Sequence, residues 1–76
     1  MMTRLPFLTP SELVAALKRV GFSLIPDRGR GSHSVLAHPD GREVVVAMHA
    51  RELKRGTLVA IVKQAGFTQE EFQHFL

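Results

Sequence analysis

Residues 32–48 read SHSVLAHPDGREVVVAM, and the way this stretch folds decides the architecture of the whole chain. Its middle, His38-Pro39-Asp40-Gly41, is a turn: proline presets the first central dihedral, and glycine accepts a positive φ at the exit. Ser32 to His38 fits one strand. Glu43-Val-Val-Val-Ala-Met48 is β-branched and apolar, which predicts a second. Two strands joined by so short a turn make an antiparallel hairpin. Side-chain alternation puts Ser32, Ser34, Leu36 and His38 on one face, with His33, Val35 and Ala37 on the other. Leu36 is the largest apolar residue of that strand, so its face is expected beneath helices. His33 then belongs to the open face. Val35, Ala37, Val45 or Ala47 there would make an apolar patch of the kind that docks a partner, unless a terminus or the last helix covers it.

Toward the N-terminus, Thr9-Pro10-Ser11-Glu12 reads as a helix start: Thr9 caps, Pro10 fits the first turn, and Glu12 completes a capping box. Leu13, Val14, Leu17 and Val20 recur at helical spacing and Gly21 closes the run, which predicts a helix over 10–20. Phe22 to Pro26 is a short apolar strand. Asp27-Arg28-Gly29-Arg30-Gly31 is a glycine-rich loop. Toward the C-terminus, Thr57 to Ala65 forms a second helix closed by Gly66. Thr68-Gln-Glu-Glu71 is another capping box, opening a short helix with Phe72, Phe75 and Leu76 inward. The order is α-β-β-β-α(-α). It gives an α+β domain with a three-stranded antiparallel sheet and helices on one face.

At 76 residues there is room for one core only, so residues 1–76 are expected to form a single domain with its core at about 9–76. A hydrophobic content of 45% argues against disorder. The absence of cysteine excludes disulfides, thiolate metal sites and a cysteine nucleophile. No apolar run approaches the ~20 residues that span a membrane. The first ten residues lack the features of a signal peptide, and a cytoplasmic location is expected. Ten Lys and Arg against seven Asp and Glu give a net charge of +3, a weak pointer to nucleic acid by itself.

His33 is the first candidate for chemistry, because imidazole exchanges a proton near neutral pH. Beside Arg28 and Arg30 it would meet a phosphate chain held by guanidinium groups. An ordinary strand histidine is the bland alternative. His33, His38 and His49 match no compact metal-ligand spacing, so no metal site and no cofactor are expected. His38 is expected to flank its turn and His74 to face solvent. Arg51, Lys54 and Arg55 lie just ahead of a helix N-terminus, where free amides favour an anion such as phosphate; a solvated loop would look the same.

Gly31-Ser32-His33, then His38-Pro39-Asp40-Gly41-Arg42, the valine-rich strand ending near His49, and Glu52-Leu-Lys-Arg-Gly-Thr-Leu58 together resemble the HicA toxin family. Ile61-Val-Lys-Gln-Ala-Gly-Phe67 with Glu70-Glu71-Phe72 continues the likeness, which runs from about Ser11 to Phe72. The resemblance implies a double-stranded-RNA-binding-domain-like fold and a bacterial toxin that cleaves messenger RNA and is neutralised by a HicB-type antitoxin. It also implies that His33, in Gly-Ser-His, is the catalytic histidine. On that footing Arg28, Arg30, Ser32, Lys54 and Arg55 are the expected RNA contacts. His33, Val35, Ala37 and Val45 are the expected antitoxin-facing residues, with any oligomer formed only with the antitoxin. A non-catalytic RNA-binding module of the same fold is the competing expectation.

Overall fold

A computed structural model describes residues 5–26, 28 and 31–76 of the chain. The described elements run α1 (Pro10–Arg19), β1 (Ser23–Leu24), β2 (His33–Ala37), β3 (Glu43–Ala47), α2 (Arg55–Gln64) and α3 (Gln69–Gln73). This is the expected α+β order. Arg30 and most of the loop assigned to 27–31 lie outside the described residues.

Helix α1 begins as its sequence dictates. The Thr9 amide donates to the Glu12 carboxylate at 2.8 Å, and the Glu12 amide donates to Thr9 Oγ1 at 3.2 Å. Both helix-end donors are thereby satisfied. Gly21, at φ 100°, turns the chain out of the helix, and the Phe22 amide returns to the Leu17 carbonyl at 3.0 Å. Helix α3 repeats the device: the Thr68 amide donates to the Glu71 carboxylate and the Glu71 amide to Thr68 Oγ1.

The sheet has the order β1-β2-β3, antiparallel throughout. In the hairpin Ala37 faces Glu43, Val35 faces Val45 and His33 faces Ala47. Leu36, Val44 and Val46 are buried and share one core with Leu13 and Leu17 of α1, Leu58 and Val62 of α2, and Phe72 of α3. Val45, between two buried valines, is 48% exposed. The helices therefore cover the Leu36 face, and the face of His33 and Val45 is open. Leu5 and Leu8, ahead of α1, also join the core.

Three expectations need correction. Strand β1 is two residues long rather than Phe22–Pro26. Phe22 is drawn into the core at 2% exposure with its ring edge-on to His38, and Pro26 has no amide to pair. Helix α2 starts at Arg55, two residues before Thr57, because Arg55 is anchored: Nη1 donates to the Leu5 carbonyl at 2.7 Å and the guanidinium lies 5.1 Å from the Phe7 ring centroid. Leu76 does not turn inward with Phe72; it is 44% exposed.

At the turn the hairpin is clipped to the body by Arg42. Its guanidinium lies 5.4 Å from the Phe22 ring centroid and 5.6 Å from that of Phe67. It donates to the Asp40 carboxylate at 2.8 Å and to the Ala65 carbonyl at the end of α2. No described helix is long and apolar enough to cross a membrane.

Candidate functional site

The end of the hairpin opposite the turn carries the candidate site. His33 opens β2, is exposed and stands on the uncovered face. Across from it β3 ends at Ala47, and the Met48 amide ties the exit to the Ser32 carbonyl at 2.7 Å. That bond fixes where His49 emerges, two residues beyond the partner of His33. The His49 ring comes to rest edge-on to the His33 ring, centroids 5.9 Å apart and planes at 63°. Its Nδ1 shares a hydrogen bond of 3.0 Å with the Ser32 hydroxyl. Ser32 thus holds both the backbone and the imidazole of the opposite strand.

The expected RNA contacts are not all gathered here. Arg28 Nη2 pairs with Glu43 Oε1 at 3.0 Å, at the turn end of the hairpin. Glu43 lies four residues from the partner of His33, about 13 Å along a strand. Arg55 is committed to Leu5 and Phe7. Lys54 is exposed at the N-cap of α2, with no side-chain cap bond, and Arg51 is exposed on the same loop. Ser32 contacts His49. Of the expected antitoxin-facing residues, Val45 and His33 are exposed and Ala37 is half-buried. Val35 is only 5% exposed and offers almost no surface.

His38 belongs to the turn, as its position suggests. Its Nδ1 lies 3.2 Å from the Asp40 amide and 3.0 Å from Asp40 Oδ1. Neutral imidazole accepts from the amide; the protonated ring donates to the carboxylate. The Asp40 carboxyl is itself held below the usual range, chiefly by the Arg42 side chain and then by the Arg42 amide. Among the described residues no three His, Asp or Glu side chains converge as metal ligands.

The ring neighbour of His33, His49, is legible from the hairpin register, although spacing along the sequence does not point to it. Once the turn is fixed at His38–Gly41, the register that pairs Ala37 with Glu43 continues to His33 with Ala47. His49 then falls on the same face as a diagonal neighbour, within reach of a long or aromatic side chain.

The family model described as the HicA toxin of bacterial toxin–antitoxin systems matches residues 10–67, well over half of the chain. The chain belongs to the HicA toxin family. No curated protein matches it closely enough to count as a relative. Membership in the HicA family assigns a toxin role within a toxin–antitoxin pair. The matched span takes in α1, the whole sheet and α2, and so includes both His33 and His49.

Proposed function

We propose that this HicA toxin is a metal-independent endoribonuclease that cleaves messenger RNA, with His33 as a general acid or base. The observation that carries the reading is the placement of His33: an exposed imidazole at the rim of a sheet face that no described helix covers. RNA brings its own nucleophile, the 2′-hydroxyl. A small protein therefore needs to hold the phosphate, move a proton and stabilise the charge of the transition state, and a positioned imidazole contributes roughly 10²–10⁴-fold. Lys54 and Arg51 supply exposed positive charge on the loop that follows His49, whereas Arg28, farther along the face, is paired with Glu43. Such groups hold the backbone and offset developing charge.

The same face explains neutralisation. A HicB-type antitoxin laid across Val45 and His33 would cover the exposed valine and the imidazole together, leaving the toxin inert in the cytoplasm. The chain works as one unit in this scheme, its core drawing on Leu5 and Leu8 ahead of α1.

The test is incubation of the purified toxin with RNA in the presence of EDTA. The expected products end in a 2′,3′-cyclic phosphate and a 5′-hydroxyl, and His33→Ala abolishes them without unfolding the protein. Binding without cleavage, unchanged in His33→Ala, would replace the nuclease with an RNA-binding module. Products ending in a 5′-phosphate would exclude attack by the 2′-hydroxyl.

A further inference from the structure

Transfer of the phosphoryl group from the 5′-oxygen to the 2′-oxygen moves two protons, one off the nucleophile and one onto the leaving oxygen. A single imidazole handles one of them at a time. His49 is placed to handle the other. Its ring stands edge-on to that of His33, with 5.9 Å between centroids and the planes at 63°, so the two imidazoles are close enough to act on one phosphodiester. Both residues are exposed on the uncovered side of the sheet.

The position of His49 is held from two sides. Backbone pairing of Met48 with Ser32 fixes its Cα, and the Ser32 hydroxyl, 3.0 Å from Nδ1, fixes the ring. A hydroxyl both donates and accepts, so it can serve either protonation state of the imidazole. When the ring is protonated, Nδ1–H donates to Ser32 Oγ and Nε2–H remains to be given away. When it is neutral, Ser32 donates to Nδ1. Hydrogen bonding at one nitrogen thus leaves the other to exchange its proton.

We infer that His49 is the second proton-transfer group of the site, the general acid that protonates the leaving 5′-oxygen while His33 accepts the proton of the 2′-hydroxyl. This rests on the ribonuclease reading above. In the step, the bond from the 2′-oxygen to phosphorus forms and the bond from phosphorus to the 5′-oxygen breaks. The 2′-hydroxyl proton passes to neutral His33, and the Nε2 proton of the His49 imidazolium passes to the departing oxygen. The products are a 2′,3′-cyclic phosphate and a 5′-hydroxyl, with the two imidazoles left in exchanged protonation states that water resets. Ser32 is a positioning residue in this scheme rather than an RNA contact.

The experiment compares ordinary RNA with RNA in which the scissile 5′-oxygen is replaced by sulfur, a leaving atom that departs as thiolate without a proton. On ordinary RNA, His49→Ala is expected to lower the cleavage rate by roughly 10²–10⁴-fold, and on the sulfur-bridged substrate by less than about tenfold. His33→Ala stays impaired on both substrates. His49→Gln, which keeps a hydrogen-bonding side chain beside Ser32 but carries no exchangeable acid, should behave as His49→Ala does. The wild-type rate should be bell-shaped in pH, and the fall on the alkaline side should be missing in both His49 variants. Ser32→Ala should lower kcat with little change in KM and shift that alkaline fall, and Ser32→Thr should restore both.

Wild-type toxin that leaves RNA intact would overturn the nuclease reading and this inference together. Wild-type toxin that cleaves, with His33→Ala inert and His49→Ala at full speed, would overturn this inference alone. Equal losses for His49→Ala on both substrates would show that the ring acts by another route. Rescue of His33→Ala by the sulfur linkage would reverse the assigned roles and refute the scheme as written.

Discussion

At the turn end of the β2–β3 hairpin, His38, Asp40 and Arg42 are built into the fold, whereas at its other end Ser32, His33 and His49 gather on the solvent side. Both ends carry imidazole. What differs is the company each keeps. Arg42 has two phenylalanine rings, a carboxylate and a helix-end carbonyl around it. His38 has the Phe22 ring and Asp40. His33 and His49 face each other across the rim of the open sheet. A cation or an imidazole is therefore packed into the fold or exposed at the open rim according to which end of one hairpin it occupies.

The sharpest way to break that comparison is a reciprocal pair of substitutions. His33→Ala should lower RNA cleavage by roughly 10²–10⁴-fold and leave the urea midpoint unchanged. Arg42→Ala should lower stability by about 2–3 kcal/mol, since it removes two ring contacts and charge-assisted hydrogen bonds. It should leave the cleavage rate unchanged wherever the protein is folded. A variant that disturbs both properties equally would mean that the two ends are not separable.

Glycines sharpen it further. Gly66 and Gly41 both have positive φ, 93° and 100°. A Cβ on Gly66 would lie 2.6 Å from Arg42 Nη1, while one on Gly41 would meet nothing within 4 Å. Gly41→Ala should cost only the left-handed backbone penalty, about 1–2 kcal/mol. Gly66→Ala should cost more, and the excess should disappear in the Arg42→Ala background. Equal costs in both backgrounds would show that Arg42 moves aside freely.

A smaller effect is expected where helix chemistry and site chemistry compete. Helices α1 and α3 have threonine caps completed by glutamate, but Lys54 caps α2 with no side-chain bond. Lys54→Ser should raise stability by roughly 0.5–1 kcal/mol. If Lys54 touches phosphate, the same change should weaken RNA binding and reduce its salt dependence by about one counterion. A gain in stability with unchanged salt dependence would remove Lys54 from the RNA surface.

These contrasts also show what was readable in advance. The two capping boxes, Gly21 and Gly66, the turn at Pro39-Asp40-Gly41 and the burial of Leu36 all follow from local preferences that the tertiary structure leaves intact. The misreadings have long-range causes. Helix α2 begins early because Leu5 and Phe7, fifty residues away, anchor Arg55. Arg28 turns from His33 to Glu43 through an ion pair that sequence spacing does not disclose. Val35 lies on the expected face and is nonetheless buried. The His33–His49 pair falls between these cases, since it needs only the hairpin register but spans the two strands. Propensity decides the elements, and contacts between distant segments decide which charged side chains are left for function.

The least of the expected effects separates scaffold from site by pH. Glu12 and Glu71 are both held below the ordinary glutamate value of 4.5, first by the Thr9 and Thr68 amides and then by the threonine hydroxyls. Asp40 is held below 3.8 by Arg42. A carboxyl whose value is depressed in the fold stabilises it above its unfolded value, and that contribution is lost as pH falls through the folded one. The contribution of these carboxyls should therefore be lost as the solution is acidified below about 4.5. These groups are exposed, so each contribution is small. Glutamine at either glutamate position keeps a capping-box acceptor without titrating. The Glu12→Gln, Glu71→Gln double variant should then match the wild type at pH 7 and lose less stability on acidification. An acid response as steep as the wild type's would assign the decline to Asp40 at the hairpin turn, and Asp40→Asn would then be the variant that flattens it.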